Sequence, residues 1–489
     1  MKLQEIKKYT RIEEVSQSEI DLLISRVNGC SWRQTFHVQP ISGLLNDPNG
    51  FSFYNGEYHL FYQWHPLGPV HGLKYWYHTK STDLVNWENV GIAIKPDDYF
   101  DSHGVYSGSA IEHNGELHLF YTGNTRDGNL NRYPYQCIAV MDPQGNISKL
   151  DRAVFDGVPE GYTEHFRDPK VWKEGEKFYA VIGAQRTDKV GCAVLLSSPD
   201  LLEWKFEGEL TTQLDDFGYM WECPDYFEME DQGVFIFSPQ GLKPEGDNYQ
   251  NIYQAGYLLG EKLDLLQKAL THGSFKELDR GFDFYAPQTM VDPSGRRILI
   301  GWMGLPDVQY PDNINGWTHC LTIPRELTAQ DGKLIQKPVP ELESLRKKKF
   351  EAADTLSSEV KMYDGFSGVV YELICEFEHG DASEYGIEFR AGEEEKTVLK
   401  YDAIQGKVIL DRTLSGKEVA EKYGTERKCQ MGGEKIKFQL FIDTSSVEVF
   451  INDGEEVFTS RIFPEVNSRE IRFFATGGSA AFTAVKWDI

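Results

Sequence analysis

The sequence predicts an all-β protein in which a five-bladed β-propeller is followed by a C-terminal β-sandwich. Three observations support this fold class. A unit of about sixty residues recurs through the first 305 residues, each unit contains two apolar strands around a turn, and the pattern changes to short alternating strands after residue 350. At 489 residues the chain is also long enough for two hydrophobic cores.

The repeat is centred on a glycine turn that is followed by an apolar and aromatic strand. Successive turn glycines are 59, 60, 58 and 62 residues apart, at Gly56, Gly115, Gly175, Gly233 and Gly295. Another apolar strand precedes each turn, which predicts a β-hairpin in every unit. Four-stranded units of this length, repeated radially, build a propeller. The alternative is an ordinary β-sandwich whose hairpins are similar by chance.

The rest of the chain predicts a helical extension, a linker and a second β domain. Helical spacing between Ser16 and Gly29 predicts a short helix over residues 16–28, within an N-terminal extension of residues 1–32. We assign residues 33–340 to the propeller, residues 341–350 to a charged linker, and residues 351–489 to the sandwich. The sandwich could support the propeller or bind carbohydrate, and we expect the first role.

Charge limits the classes of partner. The chain has 76 acidic and 50 basic residues and a formal net charge of -26. Such a surface repels phosphate backbones, so we expect no nucleic-acid partner and no anionic membrane partner. A small-molecule substrate that carried a phosphate would need a local basic pocket. The sequence leaves the oligomeric state open.

Cysteine usage and hydropathy predict a cytoplasmic protein. The seven cysteines are scattered and form no C-x-x-C pair, which favours free thiols over disulfides or a zinc site. The N-terminus is charged throughout, without the apolar core of a signal peptide, and no segment approaches 18 apolar residues. Histidine spacings do not suggest a metal site, so we expect no metal and no cofactor.

Polar motifs fall at a similar place in each repeat, shortly before the turn. If the first strand of each blade lines the central channel, these motifs converge at one end of it. Three carboxylates would then share a pocket, which suits glycoside hydrolysis because that reaction needs one ionised and one protonated carboxylate. The motifs are Asn46-Asp47-Pro48, Tyr106-Ser107, Arg167-Asp168-Pro169, Glu222-Cys223-Pro224 and Asp283-Phe284-Tyr285.

With these motifs in this order, the chain resembles glycoside hydrolase family 32, the invertases, fructanases and sucrose-6-phosphate hydrolases. The resemblance runs from the RQTFH segment at Arg33 to the DTSSVEVFINDG segment near the C-terminus. It implies a retaining hydrolase of terminal β-D-fructofuranosides such as sucrose, sucrose 6-phosphate or short fructans. Transfer of fructose to another sugar, and a sugar-binding propeller without catalysis, are the alternatives.

The resemblance also implies roles for individual residues. Asp47 would be the nucleophile, Glu222 the general acid/base, and Asp168 the carboxylate that stabilises the transition state, fixed by Arg167. Because Glu222 precedes an apolar Cys-Pro pair and two other acids are near, we predict that its pKa is raised. The expected sugar-positioning residues are Asn46, Gln63, Tyr106, Ser107, Asp283 and Trp302.

One departure from the family concerns substrate choice. Many relatives have a Trp-Gly pair after the FYQ strand, whereas this chain has His71-Gly72. The change would place an imidazole in the sugar cleft. His71, with Lys74 nearby, could contact the glucose unit or a phosphate; a purely structural loop histidine is the alternative.

Overall fold

The computed structural model describes residues 8–489 and confirms the predicted fold class. Five antiparallel sheets form the propeller. Their strands, in chain order, are Gly43–Tyr54, Glu57–His65, Tyr75–Ser81 and Glu88–Ile94 in blade 1; Val105–His113, Glu116–Arg126, Arg132–Met141, Ile147–Lys149 and Phe155–Asp156 in blade 2; Tyr162–Glu174, Lys177–Arg186, Gly191–Ser198 and Lys205–Glu209 in blade 3; Met220–Met229, Gln232–Gln240, Gly256–Gly260 and Lys276–Glu277 in blade 4; and Tyr285–Val291, Arg297–Met303, Cys320–Leu321, Arg325–Gln330 and Lys333–Pro338 in blade 5.

The hairpin turns follow from the glycines at most of the predicted positions. Asn55 and Gly56 both have positive φ, 51° and 86°, as a type I′ turn requires. Blade 4 differs, because its turn lies at Glu230, with φ 53°. Gly233 therefore lies inside the second strand, where a Cβ atom would come within 2.5 Å of the Glu261 carbonyl oxygen. Its glycine is required by a close approach of backbone rather than by a turn.

The C-terminal domain is a sandwich of two six-stranded sheets around an aromatic core that includes Phe377, Phe438, Phe473 and Phe482. One sheet contains Lys349–Ser357, Ser479–Asp488, Tyr371–Glu378, Lys435–Asp443, Ser446–Ile451 and Glu456–Arg461. The other contains Val360–Lys361, Glu470–Thr476, Glu384–Ala391, Lys396–Asp402, Lys407–Leu414 and Glu426–Gln430.

Short helices lie outside the sheets. The α-helix Gln17–Asn28 begins after Ser16 and ends at Gly29, where the sequence places it. Its Val27 packs against Trp317, which joins blade 1 through the short strand Trp317–Thr318. Four short 3-10 helices in residues 8–489 are Ile12–Glu14, Pro311–Asn315, Pro340–Leu345 and Glu421–Tyr423. The first seven residues of the predicted extension lie outside the described residues. No helix in residues 8–489 has the length and apolar character needed to cross a membrane.

Buried ion pairs join the sandwich to blade 5 and to the N-terminal segment. Arg325 of blade 5 donates to Glu448 of the sandwich at 2.6 Å and lies 3.0 Å from Asp279. His37 lies between Glu448 and Asp443 at 3.1 and 2.8 Å. Burial would lower the pKa of His37, but the two carboxylates raise it to about 9. Removing one partner would leave a buried charge uncompensated. The cluster therefore holds the sandwich in one position against the propeller.

Candidate active site

A bulge in the first strand of every blade turns side chains toward the channel. The pairing register with the second strand breaks at the same place in all five. Proline follows four of these dipeptides and cannot donate to the ladder, and a bulge re-aims the residues beside it. The dipeptides are Asn46-Asp47, Tyr106-Ser107, Arg167-Asp168, Glu222-Cys223 and Tyr285-Ala286.

Three of these bulges hold a residue in the left-handed backbone region. Asp168, Cys223 and Ala286 have φ values of 67°, 47° and 46°. Such conformations cost non-glycine residues about 1–3 kcal/mol each and persist where the surroundings enforce them. Their recurrence at one level of the channel marks that level as the candidate site.

A cleft of about 300 Å³ opens where the bulges meet. Ser107 lies just beneath it and is buried. The remaining predicted site residues on the cleft wall are the three carboxylates Asp47, Asp168 and Glu222, and Asn46, Gln63, His71, Tyr106, Arg167 and Trp302. The convergence expected from the repeat is therefore present in the structure.

Asp47 is held by a set of neutral donors. Its Oδ2 accepts hydrogen bonds from Ser107 Oγ and from Gln63 Nε2, the latter at 3.3 Å, and its Oδ1 accepts one from Asn46 Nδ2 at 3.1 Å. Burial raises the pKa of Asp47, the bond from Ser107 opposes this rise, and Glu222 adds to it. The carboxylate is fixed in one orientation with its charge shared among three donors.

Cys223 bridges two of the carboxylates. Its backbone N–H donates to Asp168 Oδ2 at 3.1 Å, and its Sγ lies 3.7 Å from both Asp168 Oδ2 and Asp47 Oδ2. Burial raises the pKa of Asp168 to about 7, with contributions from Glu222 and Asp47 and with Arg167 opposing. Burial and the two neighbouring acids therefore favour the protonated form of Asp168.

The structure contradicts the predicted pKa of Glu222. Burial would raise this pKa, but Arg167 together with Tyr285 lowers it below its usual value. Arg167 Nη2 and Nε donate to Glu222 Oε1 at 2.6 and 3.2 Å, and Tyr285 donates to Oε2 at 2.6 Å. Arg167 was expected to fix Asp168, from which its Nε is 3.8 Å away. It fixes Glu222 instead, and the prediction of a raised pKa was wrong because a cation is hydrogen-bonded directly to Glu222.

Asp283 does not lie in the cleft. Its carboxylate accepts hydrogen bonds from Tyr310 Oη at 2.6 Å, and from Arg412 Nη1 and the Arg461 backbone N–H, both at 2.8 Å. Both arginines belong to the sandwich. The predicted sugar-positioning role of Asp283 is therefore replaced by a buried ion pair between the two domains.

Asp283→Asn is expected to lower stability without lowering the turnover of the folded protein. The change leaves Arg412 buried without its counter-charge, which costs about 3–5 kcal/mol. Chemical denaturation measures the loss, and kcat determined below the unfolding transition should stay within about twofold of wild type. A large fall in kcat with unchanged stability would place Asp283 in the sugar site after all.

An aromatic and basic wall completes the cleft. Trp302 is buried, and its ring meets the ring of His71 edge-on at 6.0 Å. Lys74 Nζ donates to Asn46 Oδ1 at 2.6 Å. Burial lowers the pKa of Lys74 to about 7, with Asp47 opposing. His71 and Lys74 thus both reach the cleft, as the departure from the family motif suggested.

Sequence reasoning missed several residues of the cleft wall. Tyr285 and Gln240, which bond Glu222, are two of them. An alignment on the prolines would have found Tyr285, because it precedes Ala286-Pro287 as Glu222 precedes Cys223-Pro224. The others have no motif of their own and come from outer strands and loops: Lys8, Tyr9, Arg126, Arg132 and Pro306.

The described residues contain one group of acids close enough to share a cation, and it lies outside the cleft. Asp97, Asp98 and Asp101 form this group. Lys149 Nζ already lies among them, at 2.5, 2.6 and 3.0 Å. An ammonium group satisfies these carboxylates, so they give no argument for a metal.

Comparisons with known proteins agree with this geometry. The family model for the glycosyl hydrolases family 32 N-terminal domain matches residues 37–338, and the model for the C-terminal domain matches residues 341–488. The sucrose-6-phosphate hydrolase of Staphylococcus xylosus is 46% identical over 482 residues, which are 99% of this chain and 97% of that protein. The Bacillus subtilis (strain 168) sucrose-6-phosphate hydrolase is 44% identical over 461 residues, 91% of this chain and 92% of that protein.

Two solved structures are similar over nearly the whole chain. The sucrose-6-phosphate hydrolase of Lactobacillus gasseri superposes with a TM-score of 0.92 at 38% identity, covering 99% of this chain and 98% of its own. A mutant β-fructofuranosidase of Bombyx mori in complex with sucrose superposes with a TM-score of 0.82 at 31% identity, covering 97% and 98%. The propeller, the cleft and these matches together show that the chain belongs to glycosyl hydrolase family 32.

Proposed function

We propose that this chain hydrolyses sucrose 6-phosphate, with Asp47 as nucleophile, Glu222 as general acid/base and Asp168 as the carboxylate that binds the fructosyl hydroxyls. The coarser activity follows from the relatives, and the chain is an enzyme that hydrolyses β-fructofuranosides. The residue roles and the phosphorylated substrate are the parts that we infer.

In the first step, Asp47 attacks the anomeric carbon of the fructosyl unit. The bond between this carbon and the glycosidic oxygen breaks, and Glu222 gives its proton to the departing oxygen. Ser107, Gln63 and Asn46 hold Asp47 in one orientation, which supplies the positioning that the reaction needs. In the second step, Glu222 takes a proton from water, which attacks the same carbon and releases fructose with retained configuration.

Glu222 must carry a proton before the first step. Without bound sugar, burial raises the pKa of Asp168 whereas Arg167 lowers that of Glu222, so a proton shared by the two acids favours Asp168. Sugar hydroxyls that donate to Asp168 favour its ionised form. Bound sugar also excludes water from Glu222 and so favours the neutral form of that acid. Substrate binding therefore places the proton where the leaving group needs it.

The basic wall of the cleft supports the phosphorylated substrate. Four cationic side chains line it beside the three carboxylates, Lys8, Arg126, Arg132 and Arg167. Lys74 adds a partial charge, because burial lowers its pKa to about 7. This is a local excess of positive charge on a chain whose net charge is -26, and it is the basic pocket that a sugar phosphate would require. Such a substrate arises where phosphorylating uptake delivers it, which fits the cytoplasmic location predicted from the sequence.

The test compares kcat/KM for sucrose 6-phosphate, sucrose and the trisaccharide 1-kestose. We expect a preference of at least about tenfold for the phosphorylated sugar over sucrose, the effect of one charge-assisted contact worth about 1.5–3 kcal/mol. Equal values for the two disaccharides would reject the phosphorylated substrate and leave a plain sucrose hydrolase. A preference for 1-kestose would indicate a fructan substrate.

A further inference from the structure

Two arginines face each other at the end of a hairpin in blade 2. Arg126 ends the second strand, Arg132 begins the third, and the two residues are direct partners in the antiparallel ladder. Like charges directly opposite each other in a sheet are destabilising. Stability of the hairpin therefore does not explain why two arginines occupy these positions.

Neither arginine has a carboxylate partner within residues 8–489. Arg126 Nη1 donates to the Leu130 carbonyl oxygen at 2.7 Å, but its Nε is buried without a hydrogen-bond acceptor. The Arg132 guanidinium stacks over the Tyr106 ring at 5.5 Å. The acid nearest in sequence, Asp127, uses both oxygens to accept hydrogen bonds from Asn129 and Asn131 within the hairpin loop.

The next blade shows how the same position looks when its charge is neutralised. Arg186 ends the second strand of blade 3, sixty residues after Arg126, and it pairs with Glu209 at 3.1 Å and Asp188 at 3.4 Å. Arg186 is absent from the cleft wall, whereas Arg126 and Arg132 both belong to it. Of these three arginines, only the two that reach the cleft lack a carboxylate partner.

The arginine pair lies in the part of the cleft wall near Glu222. Arg132 is near enough to Glu222 to help lower the pKa of that acid. In the proposed mechanism Glu222 protonates the glycosidic oxygen, so the aldose unit lies between Glu222 and the rim beyond it. Lys8 and Lys74 lie near His65 and His71, in the part of the wall that blade 1 forms.

We propose that Arg126 and Arg132 bind the phosphate group on the aldose unit of the substrate, which makes them the residues that select a phosphorylated over a free disaccharide. This inference rests on the proposed function. Guanidinium groups bind phosphate oxygens through paired N–H donors, and two arginines side by side on one face of the sheet can donate to the same dianion. The bound phosphate also removes the repulsion between the two cations.

The experiment measures kcat/KM for sucrose 6-phosphate and for sucrose in wild type, Arg126→Gln, Arg132→Gln and the double variant. The ratio of the two values should fall several-fold in each single variant and about 10-fold or more, to near one, in the double variant, as expected for the loss of hydrogen bonds between charged groups. Arg186→Gln is the matched control and should keep the wild-type ratio. Thermal unfolding confirms that each variant is folded.

A second readout uses glucose 6-phosphate as an inhibitor of sucrose cleavage. Its inhibition constant should rise about 10-fold or more in Arg132→Gln and stay unchanged in Arg186→Gln, whereas inhibition by fructose should be the same in all of them. Added salt should weaken the inhibition in wild type more than in the double variant.

The outcomes separate the two proposals. A wild-type ratio near one would reject the phosphorylated substrate and this inference with it. A high wild-type ratio that persists in the folded double variant would overturn only the arginine site. Loss of the preference in Lys8→Gln but not in the arginine variants would also overturn it, and would move the phosphate to the blade 1 side of the cleft.

Discussion

Asp47→Asn is expected to lower kcat by about 10⁵-fold on every fructofuranoside, the scale of loss that follows removal of a covalent nucleophile. The asparagine keeps the shape of the side chain and an oxygen that can accept the bonds from Ser107 and Gln63. Folding and substrate binding should therefore survive. Initial rates of glucose 6-phosphate release measure the loss, and thermal unfolding checks the fold.

Asp283→Asn is a control for this experiment, since it removes another buried carboxylate that lies outside the cleft. It should keep its turnover below the unfolding transition. Retention of more than about a hundredth of wild-type kcat in a pure Asp47→Asn preparation would exclude Asp47 as the nucleophile.

Glu222→Ala is expected to lower kcat/KM on sucrose 6-phosphate by about 10²–10⁴-fold, the usual contribution of a general acid. The loss should depend on the leaving group. Fluoride departs without a proton, so β-D-fructofuranosyl fluoride should still react with Asp47 and then stall as the covalent intermediate. Azide needs no general base, so it should restore turnover of the fluoride and form β-D-fructofuranosyl azide.

Glu222→Gln is the matched variant, because the amide keeps an oxygen for Arg167 but holds no transferable proton. It should show the same loss on sucrose 6-phosphate and a smaller response to azide, since its larger side chain fills the space that azide enters. Equal losses on the sugar phosphate and on the fluoride, with no effect of azide, would contradict the acid/base role of Glu222.

The propeller could be predicted because its recurring hairpin turns require particular residues at particular backbone conformations. Asn55 and Gly56 both need positive φ for a tight hairpin turn, the same pair recurs at Asn114 and Gly115, and blades 3 and 5 keep a turn glycine with positive φ. Gly233 kept the spacing for a different reason, namely the close approach of the Glu261 carbonyl. The helix could be placed to within a residue because Ser16 and Gly29 mark its ends.

The candidate site was predicted less completely, because the distance from the turn glycine does not locate the residues that line the channel. The bulges that aim side chains inward are fixed by Pro48, Pro169, Pro224 and Pro287, and the distance from proline to turn varies between blades. The resemblance to the family selected Asp283, whereas counting from the proline selects Tyr285. The structure places the first in the domain interface and the second beside Glu222.

The pKa shifts and charge pairs of the site could not be predicted from the sequence, because they depend on residues that are distant in the chain. The pKa of Glu222 was expected to be raised by an apolar Cys-Pro pair and two nearby acids, yet Arg167 from blade 3 donates to Glu222 at 2.6 Å and lowers this pKa. The cross-strand pairing of Arg126 with Arg132 likewise requires the register of a hairpin that has no motif of its own. Distances of a few ångströms between distant residues decide both effects.

The central claim is a double displacement through a fructosyl intermediate on Asp47, and the most direct measurement is the configuration of a trapped product. Methanol added during cleavage of sucrose 6-phosphate competes with water for the intermediate, and the methyl fructofuranoside formed does not change its anomeric form. The account predicts methyl β-D-fructofuranoside, identified by NMR. Formation of methyl α-D-fructofuranoside would mean that the acceptor attacks directly, and would contradict the covalent role of Asp47.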